Sequence, residues 1–149
     1  MTIKEQEKAI VEEFSIFDDW MDKYAYLIEL GKELPVIDEK YKTNQYLITG
    51  CQSRVWLFAE LDNEGKVVFT ADSDAVITKG IVSLLVKVLS VHTPKEILDA
   101  DLEFLDQIGL KEHLSPTRAN GLVSMIKQMQ FYARAFQLKS NVKKIKRDE

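Results

Sequence analysis

The sequence predicts an α+β domain in which a small antiparallel sheet packs against helices, and three observations support this fold class. Helical apolar periodicity dominates the first and last thirds of the chain, two strand-like segments lie between them, and 46% of the 149 residues are hydrophobic. A chain of this length can bury a core without disulfides. The expected organisation is a single domain over residues 1–138, followed by a basic, disordered tail over residues 139–149.

The N-terminal part is predicted to form two amphipathic helices. Apolar residues recur near a helical period over residues 3–17 and again over residues 20–28. Asp18 or Asp19 is the expected cap of the second helix, because a short acidic side chain accepts hydrogen bonds from free N–H groups. Gly31 is expected to end this helix, since glycine tolerates the left-handed conformation found at helix C-termini.

The middle of the chain predicts a β-hairpin. Residues 55–59 and 66–70 are rich in β-branched and aromatic side chains, and the turn-forming residues 62–65 lie between them. A short third strand is expected at residues 46–48, leading to the single cysteine. The sheet is therefore expected to be small and antiparallel.

The C-terminal half predicts three further helices. Apolar residues over 77–88 follow a 3.6-residue period, and residues 72–74 offer capping side chains for this buried helix. Residues 93–96 read Thr-Pro-Lys-Glu, a capping box with proline in the first turn, so a short helix begins there. Ser115-Pro116 repeats the start signal and predicts a long final helix over residues 116–138.

The net charge of the chain argues against a role in nucleic-acid binding. The chain has 20 Lys and Arg against 24 Asp and Glu, a net charge of −4, so it has no bulk attraction for nucleic-acid phosphates. Residues 1–38 contain ten acids and four bases, whereas residues 139–149 contain five bases and two acids. We interpret the basic tail as a solvated terminus. Because no apolar run is long enough to cross a bilayer, a cytoplasmic protein without membrane contacts is expected.

The cysteine and histidine content argues against a metal site. Cys51 is the only cysteine, and His92 and His113 are the only histidines, whereas a structural zinc site usually takes four such ligands. An intramolecular disulfide is impossible, and a lone free cysteine is typical of a reducing compartment. The sequence has no P-loop or dinucleotide-binding fingerprint. No metal or cofactor is therefore expected.

Cys51 is the residue whose type and surroundings both suggest reactivity. It lies in a polar segment immediately before the first predicted strand, and Gly50 beside it leaves room for another macromolecule to approach. Arg54 would favour the thiolate, although an extended segment would turn it to the opposite side. A reactive thiol and an inert, buried cysteine that acts as a small hydrophobe are both open interpretations.

A Cys–His enzyme that acts on a small molecule is an alternative. His113 would be the base, with Asp74 or Asp101 orienting it, and His92 is a less favourable choice. Sequence spacing does not test this alternative, because such triads assemble in space. His113 precedes a helix start, where an ordinary surface or capping role competes with a catalytic one.

A resemblance favours the reactive thiol. Between residues 24 and 126 the sequence resembles the SufE family, the sulfur-acceptor proteins of iron–sulfur cluster assembly. The similar segments are 26–35 (Tyr-Leu-Ile-Glu-Leu-Gly-Lys-Glu-Leu-Pro), 50–56 (Gly-Cys-Gln-Ser-Arg-Val-Trp), 72–75, 79–80, 93–94, 113–122 (His-Leu-Ser-Pro-Thr-Arg-Ala-Asn-Gly-Leu) and 125–126. The Gly-Cys-Gln-Ser segment is the most specific of them. Several widely spaced matches in the right order make coincidence a poor explanation.

The resemblance implies a fold similar to the IscU-type scaffold proteins and a persulfide relay. The family's acceptor cysteine, here Cys51, takes the outer sulfur from the persulfide of a cysteine desulfurase and thereby activates that enzyme. The sulfur then passes to an iron–sulfur scaffold protein. The desulfurase uses pyridoxal phosphate, whereas this chain is expected to carry no cofactor and lacks further cysteines for a cluster. A monomer or a weak homodimer is expected.

The resemblance also implies partner-binding residues. Gly50, Gln52 and Ser53 are expected to shape the cysteine loop and to contact the desulfurase, and Asp74 and Arg118 match family positions near that loop. Helix capping is the competing role for Asp74, and a surface ion pair is the competing role for Arg118.

A carrier of a persulfide should shelter it at rest, because reductants remove the outer sulfur easily. We expect the Cys51 side chain to lie against apolar neighbours such as Leu47 or Trp56 in the free protein. Such burial would raise the thiol pKa, and docking would expose the sulfur.

Overall fold

The fold is built around one central helix. The computed structural model describes the backbone of residues 1–148 and the side-chain surroundings of residues 1–141. The helices are α1 (Ile3–Ser15), α2 (Trp20–Lys32), α3 (Val76–Leu89), α4 (Pro94–Asp99), α5 (Phe104–Gln107), α6 (Leu110–His113) and α7 (Pro116–Asp148). Ten of the fourteen residues of α3 are buried, because α1, α2, α7 and the sheet all pack against it. The core therefore surrounds α3, and the α+β class is confirmed.

The sheet is the predicted antiparallel hairpin. Strands β1 (Val55–Leu61) and β2 (Val67–Ser73) pair so that Val55 lies opposite Ser73 and Leu61 opposite Val67. Alternate residues of each strand are buried, as a sheet with one face on the core requires. The Asp62 carboxylate holds the turn by accepting hydrogen bonds from the backbone N–H groups of Glu64 and Lys66.

The predicted third strand does not form. Residues Asn44–Tyr46 make a 3-10 turn, and the contact with β1 is reduced to one bridge between Leu47 and Trp56 and a hydrogen bond from Ile48 N–H to Val55. The chain turns away immediately afterwards, because Gly50 adopts a φ of +93°. The sheet described here therefore has two strands.

Two predicted roles of helix-end residues are wrong. Gly31 lies inside α2 instead of ending it, and a Cβ there would come within 3.0 Å of the backbone nitrogen of Gly80 in α3. Its small size serves the close crossing of the two helices. Ala75 occupies the N-cap position of α3 without a capping side chain, while Asp72 forms ion pairs with Lys42 and Lys79.

Three other start signals are confirmed. Asp19 caps α2 by accepting a hydrogen bond from Asp22 N–H at 2.9 Å. Thr93 and Glu96 form the predicted reciprocal capping box at the start of α4. The Ser115 hydroxyl accepts a hydrogen bond from Arg118 N–H at the start of α7.

Helix α7 is longer than predicted. It continues beyond Leu138 to Asp148, through most of the segment expected to be disordered. Neither glycine nor proline follows Gly121, and lysine, arginine and glutamine are good helix formers. Basic residues near a helix C-terminus also interact favourably with the helix dipole. The last residue, Glu149, lies outside the described residues.

Candidate functional site

The cysteine lies on a tight turn between the 3-10 segment and β1. Gly50, the residue before it, has a φ of +93°, a conformation that side-chain-bearing residues rarely adopt. Its backbone also passes directly over α7, because a Cβ on Gly50 would overlap the hydroxyl of Ser124. Glycine is therefore needed here for both the turn and the close approach to α7.

The Cys51 thiol is half-buried against α7. Its Sγ donates a weak hydrogen bond to the Gly121 carbonyl at 3.7 Å, and the side chain packs against the edge of the hydrophobic core. Burial raises the pKa of the Cys51 thiol, because the thiolate loses hydration that the neutral thiol needs less. The expected shelter is present, and the contacts described for the sulfur are with Gly121 of α7.

A cavity of about 330 Å³ opens beside the sulfur. Hydroxyl groups of Thr78, Ser115 and Thr117 line it, while Ile81 and Met125 supply apolar surface. Apolar and hydroxyl-bearing residues therefore both lie beside the sulfur.

Several of the predicted site residues meet at this cavity. Gln52, Ser53 and Arg118 line it together with Cys51, and Gly50 forms the turn beside it. Arg118 is exposed and is the one charged residue among those described as lining the cavity. The loop before β1 and the first turn of α7 therefore contribute to one shared surface around the thiol.

Asp74 acts on the loop from outside the cavity. Its carboxylate accepts a hydrogen bond from Arg54 N–H at 3.0 Å, and its own N–H donates to the Arg54 carbonyl at 3.2 Å. The capping role considered for Asp74 is not observed, since Ala75 is the N-cap of α3. Asp74 instead fastens the end of the cysteine loop to the end of β2.

An ion-pair cluster fastens the segment that precedes the loop. The Lys42 ammonium lies 2.6 Å from the Asp72 carboxylate, and Lys79 lies 3.1 Å from it. Burial opposes ionisation of Asp72, but hydrogen bonds from Lys42, from Ser73 N–H and from Lys79 outweigh it and lower the Asp72 pKa. The cluster joins Lys42, which lies just before the Asn44–Tyr46 turn, to β2 and α3.

The Cys–His alternative finds no assembled triad among the described contacts. The His113 ring stacks on Trp20 with centroids 4.0 Å apart, and its Nδ1 lies 2.9 Å from the Gly109 carbonyl oxygen. His92 is buried beside Glu96, and Asp101 pairs with Lys4. Both imidazoles therefore have other partners, and neither histidine is among the residues that line the Cys51 cavity.

Sequence reasoning missed Gly121 and Ser124, the two α7 residues beneath the cysteine turn. A Cβ on Gly121 would lie 3.5 Å from the Cys51 sulfur. One signal was available: a glycine inside a helical pattern costs about 1 kcal/mol relative to alanine, so it often has a packing or functional reason. The partner of that glycine is 70 residues away in sequence and only the fold reveals it.

Two other features, a membrane-spanning helix and a metal-binding cluster, are absent from the described residues. None of the helices there has the length and apolar composition needed to cross a bilayer. No group of three or more His, Cys, Asp and Glu side chains there is arranged to hold a metal ion.

Comparison with known proteins agrees with the fold. The SufE family model, described as an Fe-S metabolism associated domain, matches residues 8–133. The solution structure of a hypothetical protein from Thermus thermophilus is similar, with a TM-score of 0.74 and 21% sequence identity over 89% of this chain and 96% of that one. That similarity supports the fold, and the family match spans the cysteine turn and the cavity. The chain belongs to the SufE family, whose domain is associated with iron–sulfur metabolism.

Proposed function

We propose that this protein accepts sulfur on Cys51 from a cysteine desulfurase and relays it to iron–sulfur cluster assembly. The supporting observation is the placement of the chain's only cysteine, half-buried on a glycine turn beside a cavity. Family membership gives the role in iron–sulfur metabolism, and the resemblance around Cys51 gives the chemistry. The role of activator follows, because removing the outer sulfur regenerates the desulfurase's own cysteine.

The transfer step is thiol exchange on sulfane sulfur. The Cys51 thiol loses its proton, and the thiolate attacks the outer sulfur of the desulfurase persulfide. A new S–S bond forms on Cys51, the original S–S bond breaks, and the desulfurase cysteine leaves as a thiolate that takes up a proton. One S–S bond replaces another, so the step needs no external oxidant or reductant. A second exchange of the same kind delivers the sulfur to a scaffold protein.

Burial suits the resting carrier. Because the thiolate is the nucleophile, a raised pKa keeps Cys51 unreactive toward small molecules in the free protein. Docking of the desulfurase would draw the turn away from α7 and expose the sulfur. The hydrogen bond of the sulfur itself to the Gly121 carbonyl, 3.7 Å long, is weak enough to break when the desulfurase docks.

The docking surface that we propose surrounds the cavity mouth. Gly50, Gln52 and Ser53 would contact the desulfurase through the turn, and exposed Arg118 would contact it from the first turn of α7. Asp74 would act by holding the Arg54 end of the loop. Pyridoxal phosphate would belong to the desulfurase, and this chain would act in the cytoplasm without a cofactor of its own.

Desulfurase turnover tests the proposal. A cysteine desulfurase from the same organism is supplied with free cysteine and a thiol reductant, and sulfide release is measured with and without this protein. The wild-type chain should raise the rate several-fold, and Cys51→Ser should abolish the increase while leaving the fold unchanged by circular dichroism. Val123→Ala, an exposed change elsewhere on α7, serves as the matched control. Equal stimulation by wild type and Cys51→Ser would refute a sulfur-acceptor role.

A further inference from the structure

The missing side chain of Gly121 creates space beside the Cys51 sulfur. A Cβ built at Gly121 would lie 3.5 Å from Sγ and 4.0 Å from the Cys51 Cβ, which is ordinary van der Waals contact. An alanine at this position would therefore fit against the free thiol. Gly121 and Cys51 both line the same cavity.

A persulfide needs more room than a thiol. The outer sulfur lies about 2.05 Å from Sγ, the length of an S–S bond. Because a Cβ at Gly121 would already touch Sγ, an outer sulfur that extends from Sγ toward Gly121 of α7 would lie nearer to that Cβ than Sγ does, at less than contact distance. The free thiol would tolerate the methyl group, whereas the sheltered persulfide would not.

We propose that Gly121 is a positioning residue for the persulfide, whose absent Cβ leaves the space that holds the outer sulfur in the resting carrier. This inference rests on the proposed function and goes beyond it by assigning the storage space to one position of α7. The first turns of α7 would then do two things: Ser115 and Thr117 line the cavity mouth, and Gly121 leaves room at its sulfur end.

Helix energetics strengthen the assignment. Glycine in a helix interior lowers stability relative to alanine, and Gly121 does not need a left-handed conformation, since the positive-φ glycines among the described residues are Gly50, Gly65 and Gly109. Contact with the thiol alone would tolerate alanine. A requirement for space at the sulfur explains the presence of glycine at a position where alanine would stabilise the helix.

The test compares Gly121→Ala with Val123→Ala, which places alanine two residues away at an exposed position of α7. Each protein is loaded on Cys51 with inorganic polysulfide, so that loading needs no desulfurase, and the persulfide is confirmed by intact mass. Cyanide is then added. It attacks the outer sulfur, the S–S bond breaks, Cys51 leaves as a thiolate, and thiocyanate is measured over time.

The persulfide of Gly121→Ala should lose its outer sulfur about 5-fold to 100-fold faster than those of the wild type and Val123→Ala, since overpacking shifts the persulfide to its exposed form. Iodoacetamide labelling of the unloaded thiol should stay within about twofold of wild type. Thermal unfolding should show Gly121→Ala to be at least as stable as wild type. A larger variant, Gly121→Ser, should also speed cyanolysis, and it replaces Gly121→Ala if the latter does not fold.

Equal cyanolysis rates in wild type, Gly121→Ala and Gly121→Ser would overturn the inference. Faster labelling of the unloaded thiol by the same factor would also overturn it, because Gly121 would then position the cysteine rather than the outer sulfur. Neither result depends on the desulfurase. Failure of wild-type Cys51 to receive sulfur from that enzyme would instead overturn the proposed function, so the two failures are distinguishable.

Discussion

At Cys51, reactivity is set by the loss of water around the sulfur. The thiol has a raised pKa because burial disfavours the thiolate. The neutral thiol also donates a hydrogen bond to the Gly121 carbonyl oxygen, which a thiolate could not do. Arg54, the cation that the sequence placed three residues away, is exposed and fixed through its backbone to Asp74. Burial and the hydrogen bond to Gly121 therefore both favour a protonated, unreactive thiol in the free protein.

This setting predicts the pH dependence of Cys51 labelling. The iodoacetamide rate of the folded protein should rise with pH around a midpoint above that of the same thiol in the urea-unfolded chain, because the folded pKa is raised. Between the two midpoints the folded state binds the proton more tightly, so stability should fall as pH rises through that window. A folded midpoint at or below the unfolded one would contradict the effect of burial.

Gly50 offers a second residue-level prediction. Gly50→Ala should lower the free energy of unfolding by about 2–5 kcal/mol, since alanine is strained at positive φ and its Cβ would overlap Ser124. Gly65→Ala is the control, because Gly65 also has a positive φ but nothing lies within 4 Å of its Cβ position. It should cost only about 1–2 kcal/mol by urea unfolding. Equal losses in the two variants would show that the contact with Ser124 is unimportant.

At the scale of helices and strands, glycines have two different roles. Gly80 lets two helices pack closely, whereas Gly121 adjoins the cysteine. A Cβ on Gly80 would overlap the backbone carbonyl of Leu27, so α3 and α2 approach each other through their glycines. Gly121 meets a side chain at ordinary contact distance instead. Glycine is therefore present in the two helices for different physical reasons, and the stability of alanine variants can measure the difference.

Alanine at Gly80 and alanine at Gly121 should change the free energy of unfolding in opposite directions. Gly80→Ala should destabilise the protein by about 1–3 kcal/mol, because a backbone carbonyl cannot move aside without separating α2 from α3. Gly121→Ala should stabilise it by up to about 1 kcal/mol through helix propensity. Urea unfolding of both variants measures the contrast. Destabilisation of similar size in both would mean that Gly121 has a packing role that the structure does not indicate.

Local signals predicted the hairpin and the five longer helices but not α5 and α6, and long-range contacts explain two other features that were missed. The hairpin, the caps at Asp19, Thr93 and Ser115 and the central buried helix could all be predicted, because side chains within a few residues determine them. The third strand and the role of Gly31 could not. The third strand is cut short because the chain turns away at Gly50, which has a positive φ. Gly31 is needed for close packing against Gly80 of α3, about 50 residues away in sequence.

At the scale of the whole molecule, the site joins parts that are distant in the chain. The cysteine turn, the start of α3 and the first turns of α7 meet at one cavity, and α3 has a central position because α1, α2, β2 and α7 pack against it. Cys51 could be selected from sequence by its type and by its Gly-Cys-Gln-Ser setting. Its shelter could be expected but not located, because the residues that provide it lie 70 positions further along.

Docking should expose the thiol if the shelter is functional. Iodoacetamide should label Cys51 several-fold faster in the presence of the desulfurase than in the free protein, since docking is expected to draw the turn away from α7. A desulfurase whose catalytic cysteine is replaced by serine serves as the partner, so that no persulfide competes for the label. Equal labelling with and without the partner would show that Cys51 is not opened by docking.

The most direct measurement of the central claim is the mass of the Cys51 peptide after contact with an active desulfurase. The protein is incubated with the enzyme and free cysteine, without reductant, and digested under conditions that cap persulfides. We predict that this peptide gains one sulfur atom, that Cys51→Ser gains none, and that omitting either cysteine or enzyme removes the gain. An unmodified Cys51 peptide beside a desulfurase that turns over would contradict the account.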